Sequence, residues 1–290
     1  MKNFHKKAFS LVELSMVILI IGILIAGVSQ GIDLYQDMRL ATARALTQNS
    51  RVGRIDNLEL WLETTTEKSF DNNEEFDGSS ITKWYDINPK NTQNNYVFSN
   101  GDNRPKFLKS CVDNNLPCIE FSSANNQYLE NLNPIPETTE LSIFFVVNFK
   151  TINTSCCTAI FTSVGTWQPK ELHINITNSK FQYGIRNSLS TDLTLLSTTT
   201  PIAKKPYIIE MIDGDVFNLY FNGSSEGSMV TNYIKKISNF NIGRWLNGST
   251  VSRYLDAYFY EIIIFRKKLT DNERKDIEKY LSKKWAIKIN

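Results

Sequence analysis

The chain has 290 residues, with 32 basic against 30 acidic side chains and a formal charge of +2. That length holds one large domain beside an anchor, or two small ones. The balanced, scattered charge offers no basic stripe, so no nucleic-acid partner is expected.

The chain opens with MKNFHKKA, carrying Lys2, Lys6 and Lys7 and no acid, then FSLVELSMVILIIGILIAGVSQGI. No side chain is charged from Leu14 to Ile32. A helix of about 19 residues rises roughly 28 Å, close to the hydrocarbon thickness of a bilayer. The lysines hold the N-terminus on the cytoplasmic side. A signal peptide, with an apolar core of about 7–15 residues, or a plain anchor is the blander alternative; the run is long for the first, and the second leaves Glu13 unexplained. Glu13 interrupts the apolar character. A carboxylate in lipid costs on the order of 2.5–3.5 kcal/mol, so Glu13 calls for a function.

KKA-FSLVE-LSMVILIIGILIAG resembles the N-terminus of a type IV prepilin or pseudopilin. The resemblance implies that a prepilin peptidase cuts the leader between Ala8 and Phe9. It also implies that Phe9 is then N-methylated and that Glu13 serves assembly with other pilin subunits. Gly22 falls where the family has Gly; Ala8 departs from the usual Gly before the cut but keeps its small size. In such an assembly, Glu13 of one subunit can pair with the amine of a neighbour shifted along the fibre, which sets axial register more than it adds stability. Gly27-x-x-x-Gly31 would let helices approach closely, a weak signal at one instance. The subunit would sit in the bacterial inner membrane, single pass with its head outside the cytoplasm, and then in a cell-surface pilus or a periplasmic pseudopilus.

Beyond the apolar run, DLYQDMRLATARALTQNSRVGR continues as helix. Leu34, Met38, Ala41, Ala45, Val52 and Ile55 recur near a helical spacing, and Gly53 is the expected stop. Leu58-Glu59-Leu60-Trp61-Leu62-Glu63 then alternates, as a strand with its leucines inward. The acidic loop that follows holds Asp71, Glu74, Glu75 and Asp77. They are candidate Ca²⁺ ligands without EF-hand spacing, and a solvated loop is the plainer reading.

Strand candidates follow at 96–99, 118–123, 141–149, 159–164, 171–177, 180–186, 193–198, 207–212, 217–221 and 258–265. Asp213-Gly214 and Asn222-Gly223 are hairpin signals. Short strands with turn chemistry between them, and no second helical pattern, predict an all-β antiparallel sandwich or jelly roll. Thr270-Asp271-Asn272-Glu273 is a capping box that opens a C-terminal helix, with Ile277, Tyr280, Leu281 and Trp285 on its apolar face. The expected organisation is a leader at 1–8, a pilin-like helix at 9–56 (9–32 transmembrane) and a sandwich at 57–290.

LELWLET, ITKWYDIN and RPKFLKSCVDNNLPCIEFSSANNQYL, with the closing YFYEIIIFRKKLTDNERKDIEKYLSKKWAI, resemble a laminin-G-like, concanavalin A-type lectin or glucanase domain. The four cysteines, Cys111, Cys118, Cys156 and Cys157, contain no Cys-x-x-Cys, and the only histidines are His5 and His173. The common Cys/His zinc frameworks are thereby excluded, and no metal is assigned. Outside the cytoplasm disulfides persist, and Cys111 with Cys118 can close a small loop. Cys156 and Cys157 could bridge each other, bond elsewhere or stay reduced.

Catalysis is not expected. A glycosidase needs two carboxylates roughly 5–9 Å apart. Asp256 and Glu261, five apart on one strand, point to opposite faces unless a bulge intervenes, so Glu261 reads as a hydrogen-bonded structural acid. His173 is the one base left to a mature chain, without a nucleophile motif beside it. Trp84, Trp167 and Trp245 stand next to polar loop residues, where exposed rings would stack on sugars; packing is the plainer fate of each. The expectation is a major or minor pilin with a lectin-like head for adhesion or display toward a glycan or surface protein. The alternatives are a type II secretion pseudopilin, or an anchored carbohydrate-binding protein outside any filament.

Overall fold

The computed structural model describes residues 10–91, 95–111, 113–163, 169–187, 191–237, 239–247 and 250–290. Ala8, Phe9 and Trp167 lie outside them. The chain divides into two compact units, Met1–Thr42 and Ala43–Asn290.

Helix α1 runs over Leu11–Asn49. It stops short of Gly53 and of the expected limit at 56. The Ser50 N–H and hydroxyl both donate to the Thr47 carbonyl, at 3.2 and 2.9 Å, and close the last turn. A 3₁₀ turn at Val52–Arg54 follows and delivers Val52 and Ile55 into the head. Burial there overrides helix propensity. Gly53 is needed for close packing, because a Cβ would come within 2.9 Å of the Pro89 ring. The second unit accordingly begins at Ala43 and not at 57: Ala43, Thr47, Val52 and Ile55 are all buried.

The head is a sandwich of two eight-stranded sheets whose strands pair antiparallel. The first sheet runs Ser224–Val230, Val216–Phe221, Pro206–Asp213, Leu141–Phe149, Ala257–Phe265, Cys118–Phe121, Lys106–Leu108. Leu58–Glu63 pairs with the second half of Ala257–Phe265, while Cys118–Phe121 pairs with its first half. A bulge between Phe259 and Glu261 separates the two halves. The second sheet runs Asp192–Leu196, Lys180–Arg186, Leu172–Thr177, Thr158–Ser163, Phe240–Ile242, Leu129–Asn131, Tyr96–Phe98, Lys83–Tyr85. Between the sheets, Leu60, Leu62, Ile143, Phe145, Val147, Phe161, Ile174, Tyr183, Ile209, Phe259 and Ile262 form one core. Asn222 and Gly223 carry φ of 48° and 81°, the left-handed pair that a type I′ hairpin requires.

Helix α2, Asp271–Trp285, covers the outer face of the first sheet. Its capping box is complete: Thr270 Oγ1 accepts the Glu273 N–H at 3.3 Å, and Glu273 Oε2 accepts the Thr270 N–H at 2.9 Å. Ile277, Tyr280, Leu281 and Trp285 are buried, each contributing roughly 1.5–3 kcal/mol of apolar transfer. Lys284 is one turn beyond Tyr280, so its ammonium is carried to the same buried face.

Candidate functional site

In the N-terminal unit, Ser10 caps α1. Its hydroxyl accepts the Glu13 N–H at 3.2 Å, and Glu13 Oε2 accepts the Ser10 N–H at 2.9 Å. Ser-x-x-Glu before an apolar run is a capping-box signature that the sequence carries in plain view. The carboxylate that costs most in lipid therefore also satisfies an orphan donor of its own helix. From Leu11 onward the helix is long and apolar enough to cross a membrane, and its most apolar 18-residue stretch is exposed throughout. Cβ atoms added at Gly22, Gly27 and Gly31 would meet nothing within 4 Å, so these positions are open surface.

In the head, alternation sends Leu172, Ile174 and Ile176 into the core and His173, Asn175 and Thr177 to the other face of the second sheet. A polar row crosses that sheet by register: Gly184 opposite His173, His173 opposite Thr162, Thr162 opposite Asn241, Asn241 opposite Glu130. Arg244 lies over the row. It donates to Asn241 Oδ1 and Glu130 Oε2, both at 2.8 Å, and stacks 3.3 Å from the Tyr128 ring centroid. Burial, with Arg253's charge second, lowers the His173 pKa to about 3, so its imidazole is neutral. Its ring also fills the space where Gly184 lacks a Cβ.

A cleft of about 300 Å³ opens at one end of the sandwich, lined by Thr151, Asn153, Thr154, Thr158, Tyr254 and Asp256. Asp256 is ion-paired to Lys150 at 3.2 Å and accepts the Thr151 hydroxyl at 3.2 Å. Hydroxyls, an amide and a half-exposed tyrosine ring are suited to hydrogen-bonding and stacking a polar ligand. The neighbouring Cys156 and Cys157 form a vicinal disulfide, and Cys111 is bridged to Cys118 across 6.0 Å between Cα atoms.

The bulge puts Glu261 on the outer face of its strand, the side of Asp256, because Ala257 and Phe259 and then Ile262 and Ile264 are the core residues. Glu261 is wholly buried beneath α2 all the same. Its carboxylate accepts Trp61 Nε1 at 2.7 Å, the Tyr280 hydroxyl at 2.8 Å, Trp285 Nε1 at 2.7 Å and Lys284 Nζ at 3.0 Å.

The acidic loop is held by its own contacts. Asp71 accepts the Tyr85 hydroxyl at 3.0 Å, Glu74 the Thr82 N–H at 2.9 Å, and Asp77 the Lys109 N–H at 2.9 Å. Burial raises the Glu75 pKa. Among the described residues no group of three or more His, Cys, Asp or Glu side chains is placed to hold a metal ion. Trp84 is fully buried, parallel to Phe70, with its Nε1 donating to the Glu63 carbonyl at 2.8 Å; it is not available to a ligand. Trp245 is half-buried, and the Arg253 guanidinium lies 4.4 Å from its ring centroid.

Residues 3–29 match the family described as the prokaryotic N-terminal methylation motif. No curated protein matches the chain. Among solved structures, the binding domain of botulinum neurotoxin serotype D is similar with a TM-score of 0.55 at 13% identity, over 77% of this chain and 52% of that one. The binding domain of Paraclostridial Mosquitocidal Protein 1 has a TM-score of 0.55 at 11% identity, over 79% and 52%. A serotype D ligand-binding domain in complex with N-acetylneuraminic acid has a TM-score of 0.55 at 13% identity, again over 79% and 52%. The chain spans about half the length of these structures. At such identities the likeness shows the fold alone, a β-sandwich.

Proposed function

We propose that the chain is a prepilin-type subunit, major or minor, of a type IV pilus-like filament, with a non-catalytic, lectin-like head for adhesion or display. The observation that carries this reading is Glu13. It lies within the matched methylation motif, at the start of a helix whose residues Leu11 to Ile32 carry exposed large apolar side chains. In this account the peptidase cuts between Ala8 and Phe9, Phe9 is methylated, and its amine pairs with Glu13 of an adjacent subunit. A buried charge that finds its partner only in one axial position fixes register.

The hydroxyl- and amide-lined cleft beside Tyr254 supports a glycan as the head's ligand, and the sialic-acid complex of a similar structure is consistent with it. The sealing of Glu261 supports a head without glycosidase chemistry, since a carboxylate under α2 cannot reach a scissile bond.

Glu13→Ala tests the assembly role. The variant is expected to be cleaved and to accumulate in the membrane, yet to be nearly absent from sheared filaments. Wild-type incorporation would refute the role. On a glycan array the detergent-solubilised chain is expected to bind without hydrolysis; release of reducing ends would overturn the non-enzymatic reading.

A further inference from the structure

Three ionisable side chains meet in the dry layer beneath α2. Lys284 Nζ is 2.6 Å from Glu63 Oε2 and 3.0 Å from Glu261 Oε2, and all three side chains have no exposed surface. Glu63 is cradled on the sheet side, where Oε2 accepts the Thr65 N–H and hydroxyl, and Oε1 accepts the Thr66 N–H and Ser69 hydroxyl. Glu261 is cradled differently. Its Oε1 accepts Trp61 Nε1 and the Tyr280 hydroxyl, while Trp285 Nε1 and Lys284 share Oε2.

Two carboxylates and one ammonium carry a net negative charge if all are ionised, and an uncompensated buried charge is expensive. One proton on a carboxyl makes the set neutral. Burial raises the Glu261 pKa. At Glu63 burial is outweighed by the charge and hydrogen bonds of Lys284 and by the threonine donors, which hold it at about 2. Lys284 is also the closer to Glu63, which holds four further donors, so Glu63 is the carboxylate of the ion pair and Glu261 the acid.

A protonated acid and an amine fixed at contact distance, with water excluded and a base on the amine's other side, are the components of an amide condensation. Such fixed pairs react with effective molarities of roughly 10⁵–10⁸ M. We propose that Lys284 and Glu261 condense to an intramolecular isopeptide bond, with Glu63 as the base, clamping α2 to the central strand of the first sheet. Glu63 takes one proton from the ammonium, and the freed Nζ attacks Glu261 Cδ. Trp61 Nε1 and the Tyr280 hydroxyl face Oε1 and stabilise the oxyanion that develops there. The Cδ–Oε2 bond then breaks. Oε2 leaves as water, carrying the carboxyl proton and a second Nζ proton, and the third proton stays on the amide nitrogen. This bond is independent of filament assembly and of any ligand.

Cyanogen bromide cleaves after Met211 and Met229 and releases residues 230–290, which contain both Glu261 and Lys284 and no cysteine. From the reduced, purified full chain this fragment is expected to be lighter than its sequence mass by one water. Tandem mass spectra should place the link between Glu261 and Lys284. In Lys284→Arg the fragment should have its full mass. In Glu63→Gln, folded by circular dichroism, it should do so as well, because the base is missing. A full-mass fragment from the wild-type chain would overturn the proposal and leave an ion-paired triad. A fragment linked instead to residues 39–211, joined through Glu63, would overturn the choice of Glu261. The wild-type measurement decides both points even if a variant does not fold.

Discussion

Glu210 gives the head a pH dependence that can be isolated by one substitution. Its carboxylate is fully buried on the outer face of Pro206–Asp213, 2.6 Å from Arg274 Nη1. The same nitrogen serves Glu278 at 3.2 Å, so one guanidinium is shared by two acids. Burial, reinforced by the Glu278 charge and opposed by Arg274, raises the Glu210 pKa from 4.5 to about 7. Because the folded value lies above the unfolded one, the native state retains a proton that the unfolded chain releases between these values. Stability therefore falls as pH rises through that window, the reverse of an ordinary ion-paired carboxylate. The gap corresponds to about 3 kcal/mol in total, and to about 2–3 kcal/mol between pH 5 and pH 8. For a unit of this size that is roughly 5–10 °C in Tm. Thermal melts of the full chain in detergent micelles, wild type against Glu210→Gln at both pH values, read it directly. The wild type should lose that increment relative to the variant on going to pH 8. Parallel pH profiles would refute the reasoning.

Two further expectations concern the head. Lys235 and Asp213 form a buried pair 2.9 Å apart, with the Thr231 and Tyr183 hydroxyls also on the carboxylate. Lys235→Met should destabilise the fold by about 3–5 kcal/mol by stranding that charge. Adding Asp213→Leu should recover much of the loss, and a double variant no better than the single would count against the explanation. Since Asp71, Glu74 and Asp77 hold backbone and tyrosine donors, Tm should be the same in Ca²⁺ and in EDTA; a rise with Ca²⁺ would show that the loop is a metal site.

Most strands longer than about five residues were legible because hydrophobic alternation and turn residues specify them locally, but Ser224–Val230, polar and glycine-containing, was not. Leu141–Phe149 and Lys180–Arg186 fall where their apolar residues predict. Three-residue strands such as Lys83–Tyr85 and Lys106–Leu108 carry no period of their own and are recruited by neighbours. The Thr270–Glu273 capping box was legible; the equivalent Ser10–Glu13 box has the same spacing, but there the glutamate borders an apolar run, where its cost in lipid is the stronger signal. Glu261 shows the limit most clearly. A two-residue repeat puts it opposite Asp256, and one extra residue at the bulge reverses that, a change fixed by pairing with Leu141–Phe149 and by α2. The partners of Glu63, Glu210 and Asp213 are likewise tertiary: Lys284 is 221 residues from Glu63 in the chain.

If the chain is a prepilin, its first 32 residues are cut at Phe9 and used in assembly. Mass spectrometry of the N-terminal peptide from membrane- or filament-derived protein tests it most directly. The expected chain begins at N-methylated Phe9. An intact Met1, or a cut beyond Val28, would contradict it.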